Sequence, residues 1–117
     1  MLGGILGFLG VAFGAFGAHA LRARLSAEML AVFETGVRYQ MYHAFAILIV
    51  AAAIGHLGDA RLLVTAGWFF VAGVFLFSGS LYGLALTGTG ILGAITPIGG
   101  LLFLIGWACL AVFAATK

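Results

Sequence analysis

The sequence predicts an all-α membrane protein: four transmembrane helices in an up-down bundle, with a short interfacial helix between the first two. Three observations carry that reading. Of 117 residues, 65% are hydrophobic and only 7% are charged, far below the roughly 25% charge of a water-soluble domain. The charges are confined to the stretch from Arg22 to Arg38, to Asp59 with Arg61, and to Lys117. The tracts between them are long enough to cross a hydrocarbon layer about 30 Å thick.

The first two charge-free tracts, Met1 to Leu21 and Tyr39 to Gly58, each suit one crossing of about 20 residues. The third, Leu62 to Thr116, would form a helix of about 80 Å and must therefore turn back once. Thr87-Gly88-Thr89-Gly90 loosens the apolar pattern, and Thr96-Pro97 sets a capping hydroxyl before a proline suited to a first helical position. The expected spans are residues 2–21, 39–57, 62–86 and 97–115 of a single domain over 1–117, with Ile91 to Ile95 lying in the interface or against the other helices.

Ala18-His19-Ala20 has the form of a signal-peptide cleavage site, yet no Lys or Arg precedes the apolar run, so a retained span is expected. Between spans one and two, Ser26 suits an N-cap, and Met29, Leu30, Phe33 and Val37 recur at helical spacing opposite Glu28 and Arg38. That pattern predicts the interfacial helix over residues 26–37. Glu34, one turn before Arg38, is placed to pair with it. Arg22, Arg24 and Arg38 on one side against Arg61 and Lys117 on the other leave the orientation near a tie.

Gly3, Gly7, Gly10, Gly14 and Gly17 advance by alternating steps of four and three, which puts them on one stripe of the first span. Lipid supplies little hydrophobic force between helices, so close approach through small residues is a main source of association. Ala72, Gly79 and Gly83 on span three, and Gly99 with Gly106 on span four, extend the pattern. A tight bundle or a tight oligomer follows.

Polar groups at membrane depth are functional suspects by default. His19 closes span one, Arg38, Tyr39, Gln40 and His43 open span two, Ser78, Ser80 and Tyr82 lie late in span three, and Thr96 starts span four. In an up-down bundle these ends converge on one membrane surface. They are read either as mutual hydrogen-bond partners that satisfy one another in lipid, or as a site for a small ligand, quinone headgroup, metal or haem through His19 and His43. Glu34 is the one carboxylate near enough to complete a metal shell, and only if the interfacial helix folds over. His56, near Asp59 at the opposite surface, reads as solvated.

Several classes are excluded or disfavoured. The clustered charge is too small for nucleic acid, with five Lys and Arg against three Asp and Glu. The lone Cys109 forbids an intrachain disulfide and a reactive pair. No span carries the carboxylate that a proton-coupled transporter would use, and a pore would need an oligomer to build its lumen. Ser78 or Ser80 with His43 lacks a nucleophile-elbow motif, so no catalytic residue is assigned.

The motifs Gly14-Ala15-Phe16-Gly17-Ala18-His19, Thr35-Gly36-Val37-Arg38-Tyr39-Gln40-Met41-Tyr42-His43, Leu76-Phe77-Ser78-Gly79-Ser80-Leu81-Tyr82 and Thr96-Pro97-Ile98-Gly99-Gly100, followed by Gly106-Trp107, resemble in order those of the domain-of-unknown-function 423 family. The resemblance spans nearly the whole chain. It implies a small bacterial inner-membrane protein of four helices with no assigned biochemical role. Relatives that end in a basic tail further imply cytoplasmic termini and an outward-facing polar cluster, although this chain keeps only Lys117 of such a tail. The resulting expectation is a non-enzymatic structural or accessory protein, free of cofactor and metal, that packs into a homo-oligomer or a larger membrane complex in the bilayer. The alternatives are a ligand, quinone, haem or metal binder at His19 and His43, and an oligomeric pore or transporter.

Overall fold

Helix α1 (Leu2–His19) runs unbroken because it holds neither proline nor a charged side chain. A single 3-10 turn, Leu21–Ala23, carries the chain into α2 (Ala27–Leu57), whose first turn is capped by Ser26, the Met29 amide donating to its Oγ at 3.1 Å. Gly58, with φ of 86°, ends α2 in a conformation that side chains disfavour, and α3 (Arg61–Thr87) follows. Gly88, with φ of 71°, closes α3 in the left-handed form, and α4 (Leu92–Thr116) completes the chain. This computed structural model describes residues 1–117, contains no strand, and has four helices long and apolar enough to cross a membrane.

Two sequence expectations are corrected. No separate interfacial helix occupies residues 26–37, because that segment continues into the second span as one 31-residue helix, about 46 Å long. Gly36 and Thr35 do not interrupt it, since hydrocarbon leaves no water to satisfy a broken backbone. The last helix starts at Leu92 rather than Pro97, so Pro97 lies inside it and Thr96 is not its cap. Adding a turn of helix at 92–96 pairs backbone that an open loop would leave bare in lipid. Pro97 itself withdraws only the amide that would have bonded to the Gly93 carbonyl.

Each helix packs chiefly on its neighbours in sequence, α1 on α2, α2 on α3 and α3 on α4, which gives a flattened bundle of 49 × 26 × 17 Å. The main core joins Leu6 of α1, Ala44 and Ile47 of α2, Ala66 and Phe70 of α3, and Phe103 of α4. Within α3, residues Val74–Ser78 form a widened π turn, a feature frequent at functional positions. There α4 comes closest: a Cβ on Gly99 would strike the backbone nitrogen of Phe77 and lie 2.7 Å from its Cα.

The glycines divide by their surroundings. A Cβ would collide with Leu48 at Gly3 (2.8 Å), with Met41 at Gly10 and with Phe70 at Gly106 (2.6 Å), and would crowd Phe33 at Gly17 (3.0 Å). At Gly83 a Cβ would lie 2.7 Å from the end of the flexible Leu92 side chain. Gly7 and Gly14 have ordinary room, with nearest atoms at 4.0 and 3.4 Å. Gly79, assigned to a seam by its spacing, faces outward with nothing within 4 Å, whereas Gly73, which spacing did not single out, abuts the Phe103 ring.

These surroundings predict opposite signs for two similar changes. Gly99→Ala should destabilise the fold by about 1–3 kcal/mol through overpacking. Gly79→Ala should stabilise it by up to about 1 kcal/mol through helix propensity. Reversible unfolding of both variants against the parent in detergent measures the difference.

Candidate functional site

The corrected start of α2 moves the polar residues. His43 lies 16 residues into the helix, about 24 Å from its beginning and near its middle. His19 stays exposed in the last turn of α1. The expected convergence of His19 with His43 at one surface is therefore replaced by two buried tiers beneath a set of exposed side chains.

In the first tier the Gln40 amide, 2% exposed, is used at both ends. Its Nε2 donates to the Leu6 carbonyl of α1 at 2.7 Å, and its Oε1 accepts from the Tyr82 hydroxyl of α3 at 2.6 Å. One side chain of α2 thus ties three helices. Gly36 makes room for the Tyr82 ring, since a Cβ there would lie 2.8 Å from it. Phe13 meets that ring edge-on, with centroids 5.3 Å apart, and Phe33 flanks it at 5.0 Å. The Ser78 hydroxyl donates to the Gly36 carbonyl at 2.6 Å. Ser80 and Thr96 share a 2.6 Å hydroxyl contact that joins α3 to α4, and Ser80 also lies 2.9 Å from the Phe77 carbonyl as a donor.

The second tier is His43. Its Nδ1 lies 2.7 Å from the Tyr39 carbonyl, and its Nε2 lies 3.0 Å from the Trp107 indole nitrogen of α4. A carbonyl only accepts and an indole N–H only donates, so this arrangement selects the Nδ1–H tautomer with the Nε2 lone pair turned to Trp107. The imidazole also stacks on Phe103 at 3.5 Å between centroids and 7° between planes. In the sequence Trp107 stands out only beside Gly106 in the last motif, with no local pattern to pair it with His43. The available signal was an indole N–H deep in an apolar run, which needs a partner when buried.

The remaining residues stay apart from these tiers. Glu34 and Arg38 are exposed in the lining of an open groove beside α1, and the expected ion pair between them does not form. Tyr39 packs on Phe77 with centroids 4.7 Å apart, and its phenol has no hydrogen-bond partner. With His43, Phe77, Phe103 and Trp107 it lines an open groove of about 580 Å³ between α2 and α4. No group of three His, Cys, Asp or Glu side chains is close enough to hold a metal ion. Neither Ser78 nor Ser80 bonds to His43, and no buried side-chain nitrogen or oxygen lacks a partner. The chemistry on display is therefore hydrogen bonding between helices.

Nitrogen-15 NMR of His43 in bilayers at neutral pH should show a protonated Nδ1 and a bare Nε2. Trp107→Phe should shift the Nε2 resonance and cost about 1–3 kcal/mol by stranding a buried acceptor.

Comparison with known proteins agrees with this architecture. Residues 13–100 match the family model described as "Protein of unknown function (DUF423)". The chain is 47% identical over 114 residues to the UPF0382 membrane protein YwdK of Bacillus subtilis, covering 97% of this chain and 93% of the relative. It is 48% identical to the UPF0382 membrane protein SH2409 of Staphylococcus haemolyticus, with 96% and 90% covered. It is 47% identical to a UPF0382 membrane protein of Haemophilus influenzae, with 90% and 83% covered. No solved structure matches the chain. Four apolar helices, the motifs that hold them together and near-complete coverage of membrane-protein relatives lead to one assignment: the chain belongs to the DUF423 family of multi-pass membrane proteins of unknown function.

Proposed function

We propose that the protein is a non-enzymatic structural or accessory component of the bacterial inner membrane. One observation carries this reading: every buried polar side chain is partnered within the chain, so the suspected site residues act as staples. Neither a nucleophile nor a free base is left among Ser78, Ser80 and His43.

Association with another copy or with a larger complex uses the small residues that the fold leaves outward. Gly79 has no atom within 4 Å of a Cβ position, and Ala72, before the π turn of the same helix, is likewise exposed. Such notches admit a neighbouring helix. We place both termini on the cytoplasmic side, as the family resemblance implies. Arg22, Arg24 and the exposed His19 then lie on the outer side.

A second reading is favoured by one feature, the unpartnered Tyr39 phenol in the groove beside His43 and Trp107. There a small aromatic or quinone-like molecule would stack on Phe77 or Phe103. Native mass spectrometry of the mildly solubilised protein separates the two. The structural reading predicts that His43→Ala and Gln40→Ala lower the unfolding midpoint without removing a retained mass. A stoichiometric non-lipid mass that disappears with His43→Ala would overturn it and favour the groove.

A further inference from the structure

We propose that the groove between α1 and α2 is a binding site for a phospholipid whose headgroup carries both a phosphodiester and a primary ammonium. Two adjoining hollows form it. The upper, about 320 Å³, is lined by Glu34, Arg38 and Tyr42 of α2 and by Gly14 of α1. The lower, about 540 Å³, is lined by Gly4, Gly7 and Phe8 of α1 and by Phe45 and Leu48 of α2. Met41, whose side chain lies against Gly10, borders both, and the two hollows follow α2 in succession from Glu34 to Leu48, about 21 Å along its axis.

The hollows exist because their floor is glycine. At Gly7 and Gly14 a Cβ would have ordinary room, and at Gly4 it would meet nothing, so these positions hollow the seam that Gly3, Gly10 and Gly17 close. The outcome is polar at one end and apolar along the rest.

Charge complementarity selects the occupant. Glu34 and Arg38 stand one turn apart, a spacing at which opposite charges normally meet, yet neither forms an ion pair or a hydrogen bond within the chain. Both are exposed at the end of the bundle that also holds Arg22, Arg24 and Glu28, the level of the lipid headgroups. The planar guanidinium suits two phosphate oxygens. The carboxylate accepts from an ammonium but finds no donor on a trimethylated headgroup. A purely anionic headgroup would leave Glu34 facing like charge. Below them, an acyl chain lies along Met41, Phe45 and Leu48 in place of a bulky side chain.

The test is retention of lipid by the full chain in mild detergent, read by native mass spectrometry against equal amounts of phosphatidylethanolamine, phosphatidylcholine and phosphatidylglycerol. Phosphatidylethanolamine should be retained as one molecule per chain, about tenfold more tightly than either competitor, the factor that one charge-assisted contact of about 1.4 kcal/mol supplies. Glu34→Gln should erase the preference over phosphatidylcholine while retention of that lipid persists. Arg38→Gln should lower retention of all three. Both side chains are exposed and unpartnered, so thermal unfolding in lipid-free detergent should stay at the parent value. Equal retention of the three lipids by the parent chain, or a preference unchanged in both variants, would overturn the proposal.

Discussion

The fold depends on the two-ended use of a single amide. In hydrocarbon no water stands ready to satisfy a polar atom, so a glutamine there must find every partner in protein. Gln40 does so by donating to the α1 backbone at Leu6 and accepting from α3 through Tyr82. That requirement sets the rotation of three helices at once. Dispersion alone specifies rotation poorly, because lipid tails are as apolar as leucine side chains. Around this tie, Gly36 clears the space for the Tyr82 ring and Gly10 lies against Gln40 and Met41, so the small residues and the polar residues solve one geometric problem.

The second half of the bundle is joined differently. Between α3 and α4, aromatic rings sit against glycines: Phe70 on Gly106, Phe103 on Gly73, and the Phe77 backbone on Gly99. The Ser80–Thr96 contact adds direction to a seam that is otherwise shape complementarity, and the His43–Trp107 hydrogen bond ties α4 to α2 beside it. The π turn at Val74–Ser78 lies in this seam, where α4 approaches most closely, directly before Gly79 and Ser80. Pro97 is tolerated on the same side because the surrounding turns of α4 remain packed on α3.

How much of this was legible follows from which forces leave a mark in one dimension. Charge-free tracts reveal helices that must live in lipid, so three tracts could be read from Arg22, Arg38, Asp59, Arg61 and Lys117, and the length of the last required a fourth helix. The alternation of glycines by four and three marked a seam, and Ser26 marked the start of α2. The depth of the polar residues was not legible. A charged pair such as Glu34 and Arg38 reads as the edge of a span, whereas a helix runs on when its outer turns project into the interface, and this one starts at Ala27. Thr96-Pro97 likewise carries a start signal, but pairing of the backbone across residues 92–96 outweighs it. Partners such as Leu6 for Gln40 and Trp107 for His43 lie 34 and 64 residues away, and no local pattern records them.

A chain whose buried polar side chains are all partnered within it offers a defined shape to its surroundings. The most direct test of that account is a double-mutant cycle on Gln40→Leu and Tyr82→Phe, read as unfolding free energy in bilayers. The account predicts a coupling of about 1 kcal/mol or more, within the range of paired polar groups between helices. Additivity within about 0.3 kcal/mol would contradict it, because the two side chains would then stabilise the bundle independently.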